Sequence, residues 1–322
     1  MTYWADKFKE MSLLENGEYE CVDGIIRQRD VYSDAQKQTE QTFAFKWRKR
    51  DTYESDAVKA ASFEWMSRGF FGDTSERVVF PGCRFLDAGC GSGFSALVLF
   101  ESELNKCHYL GVDISTAVDI AKTRFSEKKI SGEFMQADIL RLPFNERTFD
   151  VIFSNGVLHH TDSTELGIKK LAPLLVEGGR FLFYVYRKKS PIREWTDDYV
   201  RECIKNLSDE EAWKALEPLT KLGKALGDLN AEINIPEDIA FLGIPKGSIN
   251  VQRLFYWHVI KTYFRPEFSI EEMNHINFDW FRPANCHRQT PEQVEKWCSE
   301  AGLKIDRMYA EEAGMYVTAT KL

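Results

Sequence analysis

Residues 83–94 restrict the possible folds more than any other stretch of the chain. They read C-R-F-L-D-A-G-C-G-S-G-F. A short apolar run, Phe85 and Leu86, reaches an acid at Asp87. Gly89, Gly91 and Gly93 follow on alternate positions, and S-A-L-V-L-F then suits a helix. Strand, glycine turn and helix start together bring backbone N–H groups against a nucleotide-type ligand. Glycine is needed where φ is positive, or where a Cβ would hold the ligand off the backbone. Gly91, Gly93 and Ala96 also fit the dinucleotide spacing G-x-G-x-x-[GA]. The acid at the strand end favours a cationic ligand over a polyphosphate, because like charges would repel.

From this motif onward, apolar runs alternate with helix-period stretches. Strands are expected at 84–88, 108–113, near 133–137, at 149–154 and at 180–186. Helices are expected between them, the last at 164–176 and stopped by Gly178-Gly179. The pattern breaks at 187–288 and returns at T-P-E-Q-V-E-K-W-C-S-E-A-G-L, where Thr290 suits an N-cap, Pro291 the first turn and Gly302 the stop. Two strands, 304–309 and 315–320, close the chain. Alternation at these lengths means an α/β fold with a mostly parallel sheet.

Ahead of the motif, residues 1–80 form an expected N-terminal helical cap. Phe43, Phe45 and Trp47 lead into Arg48, Lys49 and Arg50, and a second aromatic cluster follows at 63–73. Such aromatics pack on a sheet or close over a ligand. The 322 residues are 43% hydrophobic, enough for one large domain or two ordinary ones. The formal charge of -8 disfavours nucleic acid, which needs a basic face. The seven scattered cysteines form no C-x-x-C pair and read as reduced thiols, which with an N-terminus lacking a signal-like apolar core suggests a cytoplasmic protein. No run approaches the roughly 18 apolar residues of a membrane span. His258, His275, Asp279, Cys286 and His287 match no metal-ligand spacing, so no metal is expected.

The motif h-h-D-x-G-x-G-x-G, present as L-D-A-G-C-G-S-G, resembles the first motif of class I S-adenosylmethionine (SAM)-dependent methyltransferases, and the aromatic leader resembles that of bacterial small-molecule members. The resemblance implies a seven-stranded, mostly parallel Rossmann-like sheet with an antiparallel last strand. The sheet would be split into 81–186 and 289–322, with 187–288 as a helical lid inserted after the fifth strand. It implies SAM as cofactor, S-adenosylhomocysteine as product, and Asp87, Gly89, Gly91 and Gly93 among its contacts.

Asp113 ends the second strand about 20 residues after the glycines, where an acid takes ribose hydroxyls. Ile114 beside it could lie against the adenine. Asp138, with Ile139 next to it, resembles the family's adenine-amino acceptor; a plain turn acid is the alternative. The segment F-S-N-G-V-L-H-H-T-D makes Asn155, His159 and His160 candidates for the methyl-transfer site, since a histidine titrates near working pH. Equally, the two histidines could pack structurally. Trp47, Arg48, Tyr186, Arg187 and Trp257 are candidate acceptor contacts, and the basic runs 48–50 and 187–189 suit either an anionic substrate or a solvated face.

The expected reaction is in-line methyl transfer to a small-molecule, and in one reading anionic, acceptor. The alternatives are an NAD(P)-dependent oxidoreductase and a non-catalytic SAM-binding protein. The aromatics of the insertion suit an acceptor pocket or a homodimer interface.

Overall fold

The computed structural model describes residues 3–15, 17–29, 33–73 and 78–322. The chain divides into two compact units. The first comprises Met1–Arg48, Ser62–Arg187 and Asn285–Leu322; the second comprises Lys49–Ala61 and Lys188–Ala284.

The strands, in chain order, are β1 (Tyr19–Val22), β2 (Ile25–Gln28), β3 (Arg84–Ala88), β4 (His108–Asp113), β5 (Glu133–Gln136) and β6 (Phe149–Asn155). They continue as β7 (Leu175–Tyr186), β8 (Glu232–Ile235), β9 (Gly247–Asn250), β10 (Leu303–Ala310) and β11 (Gly314–Lys321). The first unit is built on a nine-stranded sheet in the order β1-β2-β5-β4-β3-β6-β7-β11-β10. Its strands from β2 through β7 run parallel, and β11 lies antiparallel to both β7 and β10. From β5 to β10 this is the expected sheet. Phe85, Leu86, Val151, Ile152, Phe153, Leu182 and Phe183 are fully buried, as strands covered on both faces require.

Nine strands replace the expected seven because the N-terminal segment is not wholly helical. β1 and β2 form a hairpin whose turn is Asp23-Gly24, with φ of 52° and 69°. Asp-Gly suits a two-residue turn with both central residues at positive φ, whose twist matches the flanking strands. The hairpin then adds to the sheet edge, with Ile26 opposite Met135. Arg27 fixes it there by reaching Gln136 Oε1 at 2.5 Å and Asp119 Oδ1 at 2.6 Å. Ahead of the hairpin, the helix Tyr3–Glu10 buries Trp4 against Phe144 and Phe149, and the indole N–H donates to the His108 carbonyl at 2.8 Å.

A second difference lies before β7. The helix expected at 164–176 ends at Leu171, and β7 already begins at Leu175. Gly178, at φ 77°, therefore bends a strand and does not stop a helix.

The second unit is largely helical: Pro191–Ile204, Asp209–Leu229, Val251–His258 and Ile270–Phe281, with the small β8–β9 hairpin. Ser208 and Glu211 cap the longest helix reciprocally, as Ser269 and Glu272 cap the last. Its interior is polar as well as aromatic. Thr220 donates to Asn274 Oδ1 at 2.6 Å and accepts from Asn277 Nδ2 at 2.8 Å, while Asn274 Nδ2 donates to the Trp213 carbonyl at 3.1 Å. Buried polar groups are tolerable when paired in this way. Among the described residues, no helix is long and apolar enough to cross a membrane, and no group of three His, Cys, Asp or Glu side chains could hold a metal.

Candidate functional site

β3 runs into the glycine turn, and β4 ends beside it. Gly89, Gly91 and Gly93 all have positive φ, at 87°, 51° and 71°. L side chains seldom adopt these values, so the alternate glycines follow from the backbone path itself. Close approach adds a second reason. A Cβ on Gly89 would come within 2.2 Å of Val157, one on Gly93 within 2.8 Å of Phe125, and one on Gly91 within 2.6 Å of the Trp47 Nε1.

Asp113 fastens the turn. Its Oδ2 accepts from the Gly91 N–H at 2.8 Å, and its Oδ1 accepts from the Ser115 N–H and hydroxyl at 2.8 and 2.7 Å. A carboxylate has about four acceptor positions, so these bonds leave one, on Oδ2. Asp113 is 8% exposed. Burial raises its pKa above the usual carboxylate range, against the opposing pull of the Ser115 and Gly91 donors and the Lys46 ammonium. The site residue that sequence reasoning missed is this Lys46, buried in the helix Asp34–Arg48. Its signal was the helical spacing that sets Lys46 beside Phe43 and Trp47, whose rings its ammonium overlies at 5.3 and 4.1 Å. Arg48, singled out instead, is exposed. Trp47 stands over the glycine turn, 6.5 Å from Phe94 between ring centroids.

Asp87 faces the other way in chemical terms. It is 2% exposed and its Oδ2 accepts the Tyr109 hydroxyl at 2.7 Å. Burial pushes its pKa up to about 7, the Tyr109 hydrogen bond opposes this, and Asp113 adds to it. The group expected to meet a cation is thus occupied with a tyrosine inside the sheet.

Asp138 caps a short 3-10 turn. Its Oδ1 accepts from the Leu140 N–H at 2.9 Å, its Oδ2 from Arg141 at 3.0 Å, and its own N–H donates to Gln28 on β2 at 3.0 Å. Ile139 is buried in the core, and the Ile114 carbonyl accepts from Gln136 at 3.1 Å. Asn155, at the end of β6, donates to Ser95 Oγ at 3.1 Å and lies 3.4 Å from Met66 Sδ. Its Oδ1 is shielded and meets no donor.

His159 and His160 are buried. His159 stacks on Tyr186 at 3.7 Å, and its carbonyl accepts from the His287 N–H at 2.8 Å. His160 Nδ1 lies 2.7 Å from the Asn285 carbonyl, which makes that nitrogen the donor, and Phe43 packs edge-on at 5.1 Å. Arg187 reaches the Glu311 carbonyl at 3.4 Å. Trp257 belongs to the second unit, edge-on to Tyr256 at 4.3 Å. The glycine turn, Asp113, Trp47 and Lys46 therefore converge, whereas Asp87 and Ile139 are held within the sheet and core.

Such an arrangement can receive a small polar ligand over a glycine turn at the point where the strand order reverses, beside β3. Two features fit a nucleoside-type cofactor: the remaining acceptor position on Asp113 and the unpaired Asn155 Oδ1.

Residues 80–226 match the sequence model of a family described as "Methyltransferase domain". The chain is 34% identical over 118 residues to "Probable tRNA methyltransferase 9B" of Mus musculus, covering 36% of this chain and 24% of that protein. It is 28% identical over 144 residues to "Fatty-acid O-methyltransferase" of Mycolicibacterium smegmatis, covering 44% and 49%. Matched segments thus span about a quarter to a half of these relatives. Among solved structures, magnesium protoporphyrin IX methyltransferase from Synechocystis, with S-adenosylhomocysteine bound, aligns at a TM-score of 0.46 and 15% identity over 90% of this chain and 100% of that one.

Proposed function

We propose that this chain, whose residues 80–226 match a methyltransferase-domain family, is a class I, S-adenosylmethionine-dependent methyltransferase that transfers a methyl group to a small-molecule acceptor. The observation that carries the reading is Asp113, whose carboxylate closes the glycine turn and keeps one acceptor position for a ribose hydroxyl. When bound, S-adenosylmethionine supplies a methyl already activated by its sulfonium. The chain's own residues then have chiefly to orient, because holding donor and nucleophile in line can account for much of such a rate.

Asn155 Oδ1, at the end of the strand beside the turn, offers an acceptor to a cofactor N–H or an acceptor hydroxyl. His159 and His160, packed beneath Tyr186 and Phe43, brace the wall of the site. Although one relative is named for tRNA, a formal charge of -8 would leave a phosphate backbone poorly neutralised, which favours the small molecule.

The test is calorimetric titration of the full chain with S-adenosylmethionine, S-adenosylhomocysteine and NAD. Binding of the first two and not the third is expected. Binding of NAD alone would replace this reading with the oxidoreductase one.

A further inference from the structure

The second unit contains a feature that methyl transfer itself does not need. The helix Pro191–Ile204 carries Arg193, Asp197 and Arg201 four residues apart, hence on one face. That face meets Trp280 of the helix Ile270–Phe281. Four cationic groups surround the indole: Lys261 at 4.7 Å from its centroid, Lys189 and Arg193 at 5.4 Å, and Arg201 at 5.9 Å. Asp197 sits among them, but its oxygens are engaged. Oδ2 accepts from Arg193 at 2.7 Å and from the Trp280 N–H at 2.8 Å, and Oδ1 accepts from the Lys261 backbone N–H at 3.2 Å. Glu194 Oε1 accepts from the Lys189 backbone N–H at 2.6 Å.

Arg193 is satisfied by Asp197 and the Tyr256 carbonyl. Arg201 is not. Its Nη1 donates to the Pro283 carbonyl at 3.1 Å, but Nε and Nη2 are shielded from solvent and meet no acceptor. A guanidinium edge bearing two unpaired N–H groups matches the two oxygens of a carboxylate or phosphate. Shielding two N–H groups of a charged side chain from solvent without an acceptor is costly. Lys189 responds to the same surroundings: burial, together with the Arg193 and Lys261 charges, holds its pKa well below the usual lysine value, against the pull of Asp197 and Glu194. An arriving anion would relieve both strains.

We propose that Arg201, with Lys189 and Lys261 around Trp280, binds an oxyanion, the carboxylate or phosphate group of a small acid.

The probe for the site is inorganic phosphate, with acetate in parallel, titrated into the full chain and into the Arg201→Gln and Lys261→Gln variants. Expected is binding to the wild type that weakens about tenfold or more in each variant, while S-adenosylhomocysteine binds all three alike. Melting temperatures separate a site from a structural brace. Without anion, Arg201→Gln should melt no lower than wild type, because an unpaired charge has gone. With phosphate, the wild type should become the more stable. An equal loss for the variant in both conditions would mean a brace and overturn the proposal, as would phosphate and acetate binding that is absent from the wild type or unchanged in the variants. Lys261→Gln gives the same reading if Arg201→Gln does not fold.

Discussion

Asp113 satisfies three donors and still offers a fourth position, so removing it acts twice. Asp113→Ala should weaken S-adenosylmethionine at least tenfold, since a hydrogen bond to a charged acceptor contributes about 1.5–3 kcal/mol. It should also lower the melting temperature by freeing the Gly91 and Ser115 N–H groups. Calorimetry showing wild-type affinity in a folded variant would remove Asp113 from the site.

Asp87 makes a prediction about pH. Its ordinary pKa of 3.8 rises to about 7 in the folded chain. The folded chain therefore holds this proton where the unfolded chain has released it, and stability falls as pH climbs from about 4 to about 7, by roughly 1.4 kcal/mol per pH unit at most. Asp87→Asn should flatten that slope in urea unfolding across the window. Glu133, also raised to about 7 by burial, adds a parallel slope that both proteins share. Identical profiles for variant and wild type would show that Asp87 does not titrate there.

Among elements, the β1–β2 hairpin shows how local and global signals compete. Asp23-Gly24 is a strong turn signal, yet the aromatic clusters further along drew the whole N-terminal segment into a helical reading. Gly24→Val should destabilise the protein by about 1–3 kcal/mol, because a β-branched residue is strained at φ 69°. Gly24→Asn should cost much less, since asparagine tolerates that region. Equal midpoints for the two variants in denaturant would mean that the turn is not held in this conformation. The sheet strands β3 to β7, β10 and β11, by contrast, were legible, the central ones because a strand buried on both faces is almost continuously apolar. Strand ends mark where ligands bind, but they do not say which way a side chain turns. That is why Asp113 could be read as a site residue while the pairing of Asp87 with Tyr109 could not.

At the scale of the molecule, the second unit was visible only as a helical, aromatic-rich interruption. Its polar interior depends on residues such as Thr220 and Asn274, far apart in sequence, and no local period reports such pairs. The aromatic content allowed an acceptor-binding unit or a homodimer interface. Hydrogen exchange separates these. Slowing within residues 188–284 when S-adenosylhomocysteine and acceptor are added, at every protein concentration, is expected. A response to dilution alone would identify an interface instead.

The contact between Trp47 and the glycine turn bears on timing. With the indole against Gly91, a ligand docking on that glycine has to displace the Trp47 ring. A spent cofactor at the proposed site would leave past the same ring that a fresh one enters. Under the proposed function, the rate at which that ring clears Gly91 bounds turnover, whatever the speed of the chemical step.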